Sequence, residues 1–598
     1  MNKPLIRFDC AMKRLLRQKS NFGILEDLTA PMPQPVLRFC LVLFVCFWVA
    51  CRPERPVATT RTPPTLPTQA AKPAPKKPAP APVAVKPKPV DTVAFEPLDQ
   101  SIAPSPKREF RAVWIATVDN IDWPTKKGLP AEQQQAEYRA MLDQQRQAGF
   151  NAVVVQVRTA ADAFYAKSTE PWSEFLTGQQ GLAPSPFYDP LEFMIQESHG
   201  RGMEFHAWLN LDRGTFSKRS SIAPGHITSR KPEWFLSYGD RKLFNLGIPE
   251  VRTYVASLVA NIVRNYDVDG IHFDDYFYPY AVAGQTIRDD QAYRTNYNGM
   301  NKNDWRRANI DKVILELRDS VKSVKPHVKF GVSPFGIWKN QNTDPNGSAT
   351  TGGQAFFDLY ADTRKWALEG WVDYMVPQIY FTHDHPRAPY RTLVDWWTRN
   401  CGDRHLYIGN GAYRVGKGGT KDPSWNNPTQ MPNQIRYSRS MKPTQGSVFF
   451  SAKSLQNNPL GVRDSLQNNL YKYPALIPPM AWKDSLAPQS PRDLKAAATT
   501  SGVELYWQEP GPAADGDHAR YYVIYRFDGR QQQYRTDNPQ YILSICQGEA
   551  NTRYLDKTAD PAKRYTYIVT SFDRLHNESK EVAVLVNPVV QEAVRSGK

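Results

Sequence analysis

Past residue 106 the chain alternates short apolar runs, rich in β-branched and aromatic residues, with longer stretches whose apolar positions recur every three to four residues. The runs that predict strands are Glu109–Val118, Asn151–Val157, Met203–Leu211, Val268–Phe273, Val328–Ser333, Val372–Tyr380, His405–Asn410 and Gly446–Ser451. Between them the helical period predicts helices over Ala131–Gln147, Pro190–His199, Pro249–Tyr266, Asp304–Val324, Gln354–Leu368 and Tyr390–Thr398. Gly149, Gly200, Pro326 and Gly370 supply the stops that helix ends require. Strands and helices in alternation predict an α/β fold, a parallel (β/α)8 TIM-like barrel over residues 107–485. A doubly wound open sheet is the competing arrangement, but no glycine-rich phosphate loop follows any of the strands.

Over residues 486–590 the helical period disappears. LKAAAT, VELYWQ, YYVIYRF, YILSI, RYTYIVTSF and EVAVLV, separated by turn-rich segments, predict an all-β sandwich. The Trp507 strand together with YYVIYR and RYTYIVTSFD resembles a fibronectin type III domain, which makes Trp507 its core tryptophan.

With 598 residues, 41% of them hydrophobic, the chain has material for a large domain and a smaller one. The formal charge of +16 invites a nucleic-acid reading, yet residues 1–90 carry fifteen Lys or Arg against four Asp or Glu. The basicity therefore belongs to the leader and linker, and no nucleic-acid partner is assigned.

Phe39–Val49 is an apolar run of eleven, too short to span a bilayer comfortably and of signal-peptide length. The segment VAC ending at Cys51 resembles the lipobox of bacterial lipoproteins, which implies lipidation of Cys51 and a membrane tether. An uncleaved anchor and an ordinary secretory signal are the alternatives. Residues 1–51 thus form the leader. Residues 52–106, with fifteen prolines, form a Pro/Lys-rich linker favouring extended polyproline II. The expected place is the bacterial cell envelope, on the outer membrane, facing periplasm or surface. Only Cys401 and Cys546 lie in the body of the chain, and both are expected as buried free thiols.

In a barrel of this kind, reactive side chains gather at the carboxyl ends of the strands. The fourth run reads Asp269-Gly270-Ile271-His272-Phe273-Asp274-Asp275-Tyr276-Phe277-Tyr278-Pro279. A period of two turns His272 and Asp274 inward, with Ile271 and Phe273 toward the helices, and leaves Asp275 on the rim. Asp269, before a glycine, is expected as a turn residue. Two carboxyl groups ringed by Tyr276, Tyr278 and Tyr280 suit glycosidic cleavage: one stabilises positive charge or attacks, the other handles protons, and the rings offer flat faces to sugars. Asp274 and Asp275 are the candidate catalytic pair, with Asp274 expected ionised beneath the sugar.

Other strand ends carry polar residues at shared parity. Gln156, Arg158 and Asp162 follow the second. His206, Trp208, Asn210 and Arg213 lie along and after the third; Ser333, Phe335 and Trp338 follow the fifth. The sixth has Gln378 and Tyr380. Of these, Arg158, His206, Trp208, Asn210, Trp338, Gln378 and Tyr380 join His272, Tyr276 and Tyr278 as candidate substrate-binding residues. His383-Asp384-His385 offers metal-type ligands, but no third ligand cluster accompanies it, so no metal or other cofactor is assigned.

The opening REFRAVWIATVDNIDWP, the NAVVVQVR-x-AADAFY and HAWLN runs, and above all DGIHFDDYFYP resemble the glycosyl hydrolase-like family 10 of bacterial envelope proteins over roughly residues 107–485. The resemblance implies a barrel glycosidase with Asp274 and Asp275 as catalytic carboxylates, acting on peptidoglycan glycan strands, particularly those stripped of stem peptides. The fourth strand is also similar to the DG-x-D-x-D-x-E pattern of chitinase-like enzymes. There His272 and Asp274 take the second and third acidic positions, and Tyr276 stands where the general-acid Glu belongs, which leaves the proton donor open. An N-acetyl group on the substrate can itself attack the anomeric carbon, oriented by Asp274 and Tyr380. The expected function is hydrolysis of an N-acetylated bacterial polysaccharide. The alternatives are a non-catalytic glycan-binding envelope lipoprotein and a glycosidase acting on exogenous polysaccharide.

Overall fold

The structure, a computed structural model, describes residues 105–588 apart from residue 420. The leader with Cys51 and the linker up to residue 104 lie outside the described residues. Among the described residues, no helix is long and apolar enough to cross a membrane.

Eight parallel strands close into a barrel: β1 (Phe110–Ile115), β2 (Ala152–Arg158), β3 (Glu204–Leu209), β4 (Gly270–Phe273), β5 (Lys329–Val332), β6 (Tyr374–Met375), β7 (His405–Asn410) and β8 (Thr444–Phe449). Each strand pairs with its sequence neighbours, and β8 closes onto β1 through Phe110↔Gly446 to Val113↔Phe449. The intervening helices are α1 (Ala131–Gln147), α2 (Pro190–His199), α3 (Pro249–Asn265), α4 (Lys302–Val324), α5 (Thr363–Leu368), α6 (Tyr390–Asn400) and α7 (Gln430–Ser440). Asp189 caps α2 by accepting from the Leu191 and Glu192 amides, and Asn301 caps α4 at Asp304.

Two differences from the predicted elements have local causes. The stretch expected as one helix over 354–368 is split into Ala355–Asp358 and α5, with the break at Tyr360, whose φ is +54°. Helix α7 was not predicted, because its sequence QMPNQIRYSRS carries Pro432 and few apolar residues. Its buried face is nonetheless Met431, Gln434, Ile435 and Ser438, a helical spacing.

Strand parity sorts the core into two layers. Val113, Ile115, Val153, Val155, Ile271 and Phe273 face the helices, whereas Phe110, Ala112, Trp114, Val154, Trp208, Tyr374 and Tyr407 fill the barrel. The interior is packed with aromatic rings, so some strand positions must be bare. A Cβ at Gly331 would lie 2.0 Å from the Tyr374 ring, and one at Gly270 would lie 2.4 Å from His206 Nδ1.

Beyond the barrel are two antiparallel sheets: β9 (Arg492–Thr499), β10 (Gly502–Gln508) and β13 (Arg553–Asp556) in one, and β12 (Ile542–Gln547), β11 (Tyr521–Asp528), β14 (Tyr565–Phe572) and β15 (Val582–Val586) in the other. Trp507 is buried between them against Tyr522. Strand β13, four residues long and half-exposed, was not predicted. Cys401 and Cys546 are buried free thiols.

The turn after β14 carries His576 into the amino-terminal end of the barrel. There Arg108 donates to the His576 carbonyl at 2.9 Å, and His576 Nε2 meets Glu204 Oε1 at 2.6 Å.

Candidate active site

The carboxyl ends of β2, β3, β4 and β6 converge on Asp274. Gln156 sets the geometry: its Oε1 accepts from the Thr117 and Val118 amides at 3.1 and 2.9 Å, so its Nε2 is left to donate to Asn210 Oδ1 at 2.7 Å. Asn210 is thereby turned to donate from Nδ2 to Asp274 Oδ2, and Trp208 Nε1 donates to the same oxygen at 2.9 Å. Asp274 Oδ1 is sealed from water and has no partner among the described residues. Asp274 is 6% exposed. One oxygen is pinned, and the other is free.

Asp275 is held differently. Its Oδ2 accepts from the Tyr280 hydroxyl and its Oδ1 from Gln378 Nε2 at 3.2 Å. Burial raises the pKa of both carboxyls. For Asp274, the charge of Asp275 adds to burial and Arg213 opposes it, so Asp274 is pushed well above the usual range. For Asp275, the hydrogen bonds from Tyr280 and Gln378 favour the ionised form. Burial and the charge of Asp275 thus work against the ionised form of Asp274 expected from sequence, while Arg213 and the Trp208 donor work for it.

Arg213 lies 4.0 Å above the Tyr276 ring and donates to Asn210 Oδ1 at 3.3 Å. Tyr276, half-buried, stacks obliquely on Tyr280, and burial pushes its phenol up to about 12. Tyr380 stands half-buried, edge-on to Tyr413. Asp212, unassigned from sequence, is buried in the segment just beyond β3, and burial lifts it to about 7 against the pull of Arg213 and Arg241. Its signal was present: the parity of His206, Trp208 and Asn210 continues to residue 212.

Five expected substrate-binding residues lie elsewhere. Arg158 is fully buried in a two-pronged pair with Glu170 at 2.6 and 2.8 Å, and it braces the Asn210 carbonyl. Tyr278 packs on Tyr360 beside Asp289 and Arg306, away from the carboxyls. Trp338 stacks on Trp396 of α6 and donates to Asp362 at 2.8 Å, because the segment after β5 folds outward over the helices. His272 and His206 are interior, as parity predicts, but both sit below the carboxyls with their ring nitrogens engaged.

The indole of Trp114, a donor only, gives its proton to His272 Nε2 at 3.3 Å. His272 Nδ1 must then donate to the Tyr374 oxygen at 3.2 Å. Tyr374 donates to His206 Nδ1 at 2.7 Å, and His206 Nε2 donates to Glu204 at 3.0 Å. Burial keeps His272 neutral.

Asp269 occupies the bend before β4, as expected, and its carboxylate accepts from the Phe205 amide at 2.8 Å and pairs with His199 at 2.7 Å. Asp162 accepts from its own loop at Thr159 and Ala160. His383 and Asp384 face Arg391, while His385 accepts from the Arg387 and Ala388 amides, so the three do not converge as ligands.

A family model described as glycosyl hydrolase-like 10 matches residues 109–427. The chain is 43% identical over 482 residues to the glycosyl hydrolase YngK of Bacillus subtilis (strain 168), covering 79% of this chain and 92% of that protein. It is 36% identical over 369 residues to the glycosyl hydrolase DigH of Escherichia coli (strain K12), covering 57% of this chain and 82% of that one. Among solved structures it is similar to the PgaB (BpsB) glycoside hydrolase domain from Bordetella bronchiseptica. That match has 14% identity and a TM-score of 0.41, over 61% of this chain and 99% of the other. A barrel with buried carboxyls at its mouth and a family match spanning those strands have one reading: the chain is a glycoside hydrolase and belongs to the glycosyl hydrolase-like 10 family.

Proposed function

We propose that the protein cleaves glycosidic bonds in an N-acetylated bacterial polysaccharide, namely peptidoglycan glycan strands, by a mechanism in which the substrate's own acetamido group attacks the anomeric carbon. One observation carries this reading: Asp274 has one oxygen fixed by Trp208 and Asn210 and the other sealed from water without a partner. A buried polar atom left unpaired is costly, and a ligand group that pairs with it recovers that cost. An acetamido N–H is such a group. As it hydrogen-bonds to Asp274, its carbonyl oxygen is turned toward the anomeric carbon, and the negative charge on the Asp274–Asp275 pair offsets the positive charge that develops there. Tyr276, Tyr280 and Tyr380 supply ring faces for the sugars. The segment ending at Cys51 supports attachment to the bacterial envelope, where such strands are found.

Asp274→Asn keeps the shape and removes the acid. It is expected to lower reducing-end release from purified, peptide-free glycan strands by about 10²- to 10³-fold, the loss expected when a preorganised stabilising group is removed, while the circular dichroism spectrum is unchanged. The products of the native enzyme are expected to retain anomeric configuration. Inverted products, or an active Asp274→Asn enzyme, contradict the reading.

A further inference from the structure

The structure assigns a role to a third carboxyl: we propose that Asp212 is the proton donor of this site, protonating the glycosidic oxygen as the bond breaks. The inference rests on the function proposed above and fills the place its fourth strand leaves open. Tyr276 stands where chitinase-like enzymes keep a glutamic acid, and its phenol, engaged beneath Arg213, holds its proton too tightly to give it to a leaving group near neutrality. A donor must come from another strand.

Asp212 comes from the neighbouring one. Its carboxyl accepts no side-chain or backbone hydrogen bond from any other described residue, its Oδ1 is sealed from solvent, and the residue is 3% exposed. No hydrogen-bond partner among the described residues explains a carboxyl in that position. It is not alone: Asp212 Oδ1, Arg213 Nε, Asp274 Oδ1 and Ser333 Oγ, at the ends of β3, β4 and β5, are all buried and unpaired. Orphaned polar atoms gathered at one end of a barrel mark where a polar ligand completes the structure. The charged and titratable groups facing Asp212 are Arg213 beside it, Arg241 from the antiparallel hairpin of Phe235–Tyr238 and Arg241–Phe244, and Asp274 and Asp275 just past β4. Burial outweighs the two cations and leaves Asp212 at about 7, where a general acid works best at neutral pH.

In the first step the Asp212 O–H bond breaks and its proton goes to the glycosidic oxygen. The C1–O bond cleaves with its electron pair moving to that oxygen, and the acetamido oxygen bonds to C1, giving a cyclic oxazolinium. In the second, water attacks C1, the Asp212 carboxylate takes the water proton, and the C1–acetamido bond reopens. Water is consumed, and Asp212 ends protonated.

The test uses the full chain on peptide-free glycan strands across the pH range. The native enzyme is expected to lose kcat as pH rises through about 7. Asp212→Asn is expected to lower kcat by about 10²- to 10⁴-fold with little change in KM, and to lack that alkaline fall. Its melting temperature should not drop, because an unpaired buried acid has been replaced by a neutral isostere. Arg241→Gln, at a half-exposed position, removes a cation that holds Asp212 down, so it is expected to shift the alkaline fall of an otherwise working enzyme to higher pH. An Asp212→Asn enzyme within tenfold of native, or an alkaline fall that Arg241→Gln leaves in place, overturns the assignment. If Asp274→Asn is inactive while Asp212→Asn works, only this inference fails. If Asp274→Asn works, the function beneath it fails.

Discussion

The two ends of the barrel bury the same kind of residue and treat it in opposite ways. At the amino-terminal end, Glu204 is surrounded by donors: Lys329 Nζ, His576 Nε2 at 2.6 Å and His206 Nε2 at 3.0 Å. Burial alone would raise its pKa, but the charge of Lys329 and the hydrogen bonds from both histidines hold it well below the usual range. At the carboxyl-terminal end, Asp274 and Asp212 are as deeply buried, yet each has an oxygen without a partner and is shifted up. The amino-terminal end even carries a cavity of about 400 Å³ between barrel and sandwich, but two of the carboxylates that line it are spent on partners, Asp269 on His199 and Glu204 on Lys329 and His576. A carboxylate paired with donors holds the structure together, whereas a carboxyl with an unpaired oxygen is available for chemistry.

The comparison breaks most visibly at Glu204. Glu204→Gln leaves Lys329 buried without its counter-charge and is expected to cost about 3–5 kcal/mol of stability, measured by chemical denaturation at neutral pH. Activity per folded molecule should change little. Because the folded-state pKa of Glu204 is depressed, its contribution is present above the unfolded value near 4.5 and is lost as pH falls through the folded one. The gap between native and variant stability should therefore close in acid.

A smaller effect sharpens the other end. Trp208→Phe removes one of the two donors to Asp274 Oδ2 while filling most of the same space. It is expected to lower kcat about tenfold, in line with the roughly 1–1.5 kcal/mol of one hydrogen bond, with stability nearly unchanged. A loss confined to stability would put Trp208 with the structural end of the barrel.

Much of this contrast was legible in the sequence. The eight apolar runs located the barrel because a parallel sheet buried on both faces needs them, and the period of two placed His272, Asp274, Trp208 and Asn210 on the interior. What parity cannot supply is depth and partner. His206 and Asn210 share a face, but one lies below the site and the other in it. Arg158, Tyr278 and Trp338 read as binding residues until Glu170, Asp289 and Trp396, contributed by loops and a helix outside the strands, are seen beside them. Asp212 escapes a sequence reading for the converse reason: it lies past the strand's end, and its distinguishing mark is a missing partner.

The central claim is that Asp274 presents an unpaired carboxyl oxygen at the barrel mouth in a setting that raises its pKa, and infrared difference spectroscopy of native protein against Asp274→Asn as pH is raised tests it most directly. The account predicts that the carbonyl stretch of a buried carboxylic acid, absent from the variant, persists above the ordinary aspartic-acid value of 3.8. A band lost at or below that value would contradict it.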